Sequence, residues 1–588
     1  MLRNFPSKLV LPVVLAGSLF LAITQDEAHA QGAADDASRQ AEQIERDRAA
    51  DERQRLIEKN RLDNRPPDGA DVSPPQEDVA TSDGACVHVN VVSVTGTTLL
   101  RAREIRKVTA PFEDRCLGHS DLNGILEQLT FLYVEKGFIT SRAFLPEQDL
   151  SDGFLEIVVV EGSLEDIVID DEPDAHAGRA GTAFPDMVGL LVNLRDIEQG
   201  LDQLNRLRSN SATIELEAGE NPGSSVLSVA RSKGKNWYVT LGFDDLGSSS
   251  TGEYQSRIDL GFEDVLRLND QWHFSYQRST DDNLFFSNLP GSDTYTGSFS
   301  LPYGYWTFTL NGSWSEYDSQ IAGAVSEVDT SGLSHSASAS VSRVVHRDQT
   351  SITSFSGKIK WKRTENFILG SKVDVSSRDL SVGTLEFIHS RQLWDGQLTA
   401  SLGHSRGLEI RGSFDDDTAP AGSPKGQFRS LNASLGYFKP FQLGDLAVAY
   451  KGQVSGQYTP DLLFGSEQVA YGGYSTVRGL RESIVFGNHG VMTRNEFALR
   501  LSPASNKQFA KLLGTLEIYT SADFGYVFEE DEFGIDGGNL AGATIGLRAR
   551  GGWIGFDVVW SDIVASSGNL EAAVSESGLL YARVNLAF

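Results

Sequence analysis

After its first 30 residues the chain has no long apolar run, so no membrane-spanning helix is expected in the mature protein. Cysteine is nearly missing: Cys86 and Cys116 are the only two in 588 residues. Two cysteines without clustered histidines cannot complete a tetrahedral set, so no metal site is expected. Basic charge is short as well. Lysine and arginine total 51 against 80 acids, for a formal net charge of −29. Phosphate recognition needs a basic footprint, so nucleic acid is not expected as a partner. A basic lumen hidden inside the molecule stays compatible with that balance. Catalytic signatures are also missing. There is no nucleophile elbow, no phosphate loop and no base–nucleophile–orienter set. Asp244 and Asp245, and the acids from Glu529 to Glu532, read more simply as turn or loop acids. The chain is therefore not expected to be an enzyme, and neither a catalytic residue nor a cofactor is assigned.

What is present begins with a targeting segment over residues 1–30. Arg3 and Lys8 supply its positive end, and Leu9 to Ile23 its apolar core. Ala28-His29-Ala30 is a small-x-small cleavage pattern, which puts the mature start at Gln31. Export implies an oxidising compartment, where Cys86 and Cys116 are expected to form one disulfide. Residues 31–63 are helix-forming and polar nearly all round, suited to solvent or a wet cavity. Residues 64–85 contain Pro66-Pro67 and Pro74-Pro75 among Asp, Ser and Gly, and read as an extended linker.

Residues 86–162 read as a compact β-α-α-β-β unit. A β-rich run from Cys86 ends at Gly96. A helical pattern covers Thr97 to Val108, and Ser120 is the candidate N-cap of a second helix that Gly137 ends. Ile139 to Leu145 and Phe154 to Val160 are strands. Residues 163–233 repeat the order, with helical patterns over roughly 185–208. From Trp237 the texture changes to period-two alternation. Trp237, Val239, Leu241 and Phe243 share one face, and Trp272, Phe274 and Tyr276 do the same. Ile359 and Trp361 alternate with Lys358, Lys360 and Lys362.

A one-sided soluble sheet and a barrel in lipid both give that alternation. Three features favour the barrel: small, hydroxylic or basic residues on the polar face, punctuating loops, and a chain end at Phe588. Phe588 lies in phase with Leu580, Val584 and Leu586, with Tyr581 and Arg583 opposite. Residues 237–588 hold about sixteen such segments, an even number as a closed antiparallel barrel requires. An open sheet edge cannot sit in hydrocarbon, so the sheet must close.

One stretch stands apart. Phe464 to Arg481, FGSEQVAYGGYSTVRGLR, is a long Gly-rich loop between strands, with Arg478 set in Val477-Arg478-Gly479-Leu480. By itself it reads as a surface hairpin.

Several stretches together carry a resemblance. They are PFEDRCLGHSDL, GFITSRAFLPEQDLSDGFLEIVVVEG, LRDIEQGLDQLNRLRSNSATIELEAGENPGSSVL, GFDDLGSSSTGEYQ and PYGYWTF. The chain resembles the two-partner secretion transporters of the ShlB/FhaC/HecB type, in the POTRA-plus-barrel superfamily that includes BamA. The resemblance implies a Gram-negative outer-membrane β-barrel, surrounded by outer-membrane lipid and preceded by two periplasmic POTRA domains. It implies that the domains receive an unfolded secreted partner exoprotein of haemolysin or adhesin type, which the barrel translocates to the cell surface. Barrel-assembly machinery would insert the protein itself. A BamA-like assembly factor is the alternative, disfavoured by two POTRA domains rather than a longer series.

For the loop the resemblance implies an inward fold, with Arg478 against an aspartate of the inner wall. The matching aspartate is Asp523, in phase with Glu517, Tyr519 and Ser521. Leu480 stands where relatives usually have an aromatic, and Ser521 where the superfamily often has Phe. The helix at 36–62 resembles the plug that occupies the barrel at rest.

Overall fold

A computed structural model describes residues 86–588, apart from 171–177, 249–250, 282–289, 323–326, 502–506, 571–573, 575–577, and residues 375, 419 and 421. The signal sequence with its Ala30–Gln31 cleavage, the polar helix and the Pro-rich linker lie outside the described residues.

The first unit is built on a long helix, His119–Glu135, with Ile125, Leu129 and Tyr133 fully buried against a three-stranded sheet. The sheet sets Val91–Thr95 parallel to Phe154–Val160, and Arg142–Phe144 antiparallel to the latter. The helix starts at His119, with Gly118 rather than Ser120 as its N-cap. The Asp121 carboxylate accepts the Gly118 N–H at 2.9 Å, so the acid three residues on sets the start and draws Ser120 into the first turn. A further strand, Arg115–Leu117, pairs with Val87–Val89 and sets His88 opposite Cys116. The pairing brings Cys86 and Cys116 together in a disulfide, Cα atoms 5.4 Å apart. Closing this loop contributes roughly 3–4 kcal/mol in the chain-entropy account.

The second unit repeats the plan with Ser163–Ile169, Asn210–Ala218 and Ser224–Lys233 as its sheet. Its helices are Arg179–Ala183 and Leu194–Asn205, so much of the expected helical stretch from 185 is not helical. Pro185 cannot continue a helix, and Asp186 and Gly189 take positive φ. The chain here runs beside the sheet, Leu164 N–H donating to Leu190 O at 2.8 Å.

The barrel closes with sixteen spanning antiparallel strands, the last, Leu579–Ala587, pairing with the first, Trp237–Asp244. Side chains alternate as the sequence pattern requires. On the thirteenth strand, Gly514–Val527, Glu517, Tyr519, Ser521 and Asp523 are buried inward while Ile518 and Phe524 stand exposed outward. Inward hydroxyls bond across neighbouring strands, as in Ser279–Ser292 at 2.7 Å and Thr294–Ser315 at 2.8 Å. Phe588 is exposed on the outer face, and its N–H donates to Val239 O at 2.9 Å.

The second unit is fastened to the barrel rim. Buried Arg206 donates to Gln271 Oε1 at 2.7 Å, to Asn269 O at 3.3 Å and to Ser300 Oγ. Arg347 of the barrel reaches Asp202 Oδ2 at 2.6 Å, and Gln203 donates to Gly304 O at 2.7 Å. Glu263 accepts the N–H groups of Arg208 and Ser209 at 2.8 and 2.7 Å.

Candidate functional site

The site is made by the chain between the eleventh strand, Leu446–Tyr458, and the twelfth, Gly490–Leu501, at the end away from the POTRA-like units. Two short strands, Val469–Tyr471 and Val485–Gly487, pair and carry the tip inward. Gly472 (φ +122°) and Gly473 (φ +82°) turn the chain, and Thr476 Oγ1 donates to Gly472 O at 2.6 Å.

At the tip, Arg478 is 2 % exposed and its ion-pair partner Asp523 is equally buried. Its Nε donates to Asp523 Oδ2 at 2.6 Å and its Nη2 to Oδ1 at 2.9 Å, a bidentate fork. Its backbone N–H adds a third bond to Oδ2 at 3.3 Å. Arg478 Nη2 also donates to Ser521 Oγ, and the Ser521 hydroxyl donates to Asp523 Oδ1 at 3.1 Å. The serine that departs from the family pattern is thus a member of the clasp. Two such charges out of water stabilise only when each is paired and hydrogen-bonded; removing one leaves the other stranded.

Gly479 comes next, at φ +125°, and a Cβ there would lie 2.8 Å from the Asp562 carbonyl carbon. Its N–H donates to Tyr581 OH at 3.1 Å, while Tyr581 OH donates to Leu480 O at 2.6 Å. Val477 and Leu480 are buried in an apolar cluster with Tyr471, Met492, Val527, Leu540 and Ile563. Leu480 therefore fills its place by aliphatic packing.

Around the clasp runs a chain of alternating charge. Arg500 and Arg548 both hold Glu517, at 3.1 and 2.7 Å, and Arg548 holds Glu496 at 2.6 Å. Glu496 lies 3.6 Å from Arg478. Tyr474 and Tyr519 each donate to Asp557, at 2.7 and 2.8 Å. Below the tip, toward the POTRA-like end, is a cavity of about 440 Å³ lined by Lys451, Arg494, Arg500, Arg548 and Arg550 among others. The net acidity of the chain coexists with this basic interior.

The expected residues Val477, Arg478, Gly479, Leu480, Ser521 and Asp523 are thus brought together. Cys86 and Cys116 lie apart in the first unit, and Phe588 lies on the outer wall. Sequence reasoning passed over Glu496, Asp557 and the clamp formed by Tyr581. Each sits in the inward phase of its strand, which is the signal that would have found it.

A closed sixteen-strand barrel, two POTRA-type units before it with the second docked on its rim, and a loop pinned inside define an outer-membrane translocation pore. The matching families agree. Residues 87–162 match the ShlB-type POTRA domain, 163–218 a POTRA domain, and 223–549 the haemolysin secretion/activation protein family ShlB/FhaC/HecB. The chain belongs to the ShlB/FhaC/HecB family. It is 33 % identical over 473 residues to the outer membrane transporter CdiB of Dickeya dadantii, covering 80 % of this chain and 82 % of that one. The haemolysin transporter ShlB of Serratia marcescens is 28 % identical over 80 % of this chain and 82 % of its own. The structure of CdiB from Escherichia coli superposes with a TM-score of 0.84 at 29 % identity, over 94 % of this chain and 99 % of that one. The protein is an outer-membrane transporter of the two-partner secretion type, its POTRA domains in the periplasm and the loop at 459–489 entering from the cell-surface side.

Proposed function

We propose that the POTRA domains capture an unfolded, exported partner exoprotein in the periplasm, which then threads the barrel in extended form and folds outside. The inward loop is the positioning element of the channel, and Arg478 with Asp523 sets its resting place. The observation that carries this reading is the buried bidentate clasp inside a hydroxylic and basic lumen, an interior suited to water and extended polypeptide. Asn210–Ala218 is the edge strand of its sheet among the described residues, runs from the barrel rim and suits strand addition by the partner. Residues 31–63 serve as the plug at rest, carried by the 64–85 linker. Outer-membrane lipid surrounds the barrel, which the barrel-assembly machinery inserts.

The test is Arg478→Ala in cells expressing the partner. Secreted partner should fall to near background while folded, heat-modifiable barrel stays at parental level in the outer membrane. Parental secretion by a well-inserted variant would sink the proposal.

A further inference from the structure

The barrel is unevenly sealed. The junction of first and last strands has five register pairs, from Arg583↔Asp244 to Ala587↔Thr240. The flanking junctions each have eight. Past Asp244, among the described residues, the Asp245 N–H to Ala582 O bond at 3.2 Å and the Ala582 N–H to Asp245 Oδ1 bond at 2.8 Å extend it. Leu579 to Tyr581 continue toward the surface, hydrogen-bonded to the fifteenth strand but not paired with the first.

The inward loop lies across this gap and holds both sides. On the side of the last strand, Tyr581 OH is bound to Gly479 N–H and Leu480 O. On the side of the first strand, Arg481 donates to Asp245 O at 3.2 Å and pairs with Glu253 at 3.3 Å. Leu246, which follows the first strand, packs in one apolar cluster with Tyr474 of the loop and with Leu579 and Tyr581 of the last strand. Polar and apolar contacts both run from strand to loop to strand where the direct ladder ends.

We propose that the loop is a staple across the closing seam of the barrel, with Tyr581 and Arg481 as its two positioning residues. The loop substitutes for ladder bonds over the cell-surface half of the junction. Occupation of the clasp and closure of the seam are therefore coupled: a loop displaced from Asp523 loosens the first and last strands as well. This coupling is separate from cargo recognition and holds whether or not partner is present.

The test is backbone amide exchange on the full chain in lipid nanodiscs. Arg481→Ala and Tyr581→Phe are compared singly, each leaving the Arg478–Asp523 fork intact so that folding is preserved. Both should speed exchange at Leu579 to Arg583 and Leu241 to Asp245 by about tenfold, the loss of one hydrogen-bonded tie. Exchange in Trp306–Ala322 and Ser351–Ile368, far around the wall, should stay at the parental rate. Parental exchange at the seam in both variants, or equal acceleration around the whole barrel, would overturn the staple. Tyr581→Phe keeps the ring and removes only the hydroxyl, so a seam change there reports the tie and not lost packing.

Discussion

At the scale of residues, the clasp depends on the absence of side chains as much as on their presence. Gly542 on the inner wall faces the loop so closely that a Cβ would lie 2.1 Å from Arg478 O. Gly542→Ala should push the tip off the wall, at a cost of about 1–3 kcal/mol for overpacking. Trypsin should then cut at Arg478 or Arg481 faster than in the parent, with the barrel still folded; unchanged cleavage would show that the wall yields. Arg478, its neighbours and Asp523 were legible in the sequence through resemblance and strand phase. The weight of Ser521 was not, because a hydroxyl between two charges has no signature in a chain rich in serine. Tyr581 was legible only as an inward residue: its two bonds are to backbone atoms more than 100 positions away.

At the scale of elements, Glu161, at the end of the first POTRA domain, ties that domain's helices to its last strand. Burial works to raise its pKa, but bonds from the Thr98 hydroxyl and N–H, the Tyr133 hydroxyl and the Leu99 N–H outweigh it and hold the carboxyl below the ordinary glutamate value. A carboxylate with a lowered folded pKa contributes stability above its unfolded pKa and loses it as pH falls through the folded one. Glu161→Gln should therefore reduce amide protection of Phe154–Val160 at pH 7. The difference from the parent should shrink as pH falls below the ordinary glutamate pKa and vanish only below the folded one, which lies lower still. A difference that persists in acid would contradict the charge-based account. The two POTRA domains were readable because apolar stripes and strands repeat in order. The segment after 185 misled because the helical spacing that includes Leu201 and Leu204 holds only from Leu194 onward. Pro185 and the positive φ at Asp186 and Gly189 send it along the sheet instead.

At the scale of the whole molecule, the barrel was the most legible part. Lipid outside and water inside force strict alternation, and closure forces an even count. The docking of the second POTRA domain was not legible. Arg206, Gln203 and Gly304 come from distant stretches, and neither stretch marks the other as its partner. That docking should hold barrel and second domain as one body. Arg206→Ala with Arg347→Ala should free it. Spin labels at Glu217→Cys and Asp395→Cys should give a narrow distance distribution in the parent and a broad one in the double variant, by pulsed electron paramagnetic resonance. The native cysteines, already paired, leave those labels specific. Equal widths would show that the remaining bonds suffice.

The disulfide has a mechanical consequence. Everything before Cys86 hangs from the first POTRA domain through the strand Val87–Val89, which has only three residue pairs. Traction on the N-terminal segment would unzip so short a ladder from its end. The bond to Cys116 instead carries the load past the strand, into the residues just ahead of His119–Glu135 and its buried face. The junction works as strain relief works on a cable: tension arriving at Cys86 passes through the disulfide toward the helix and not into that short ladder.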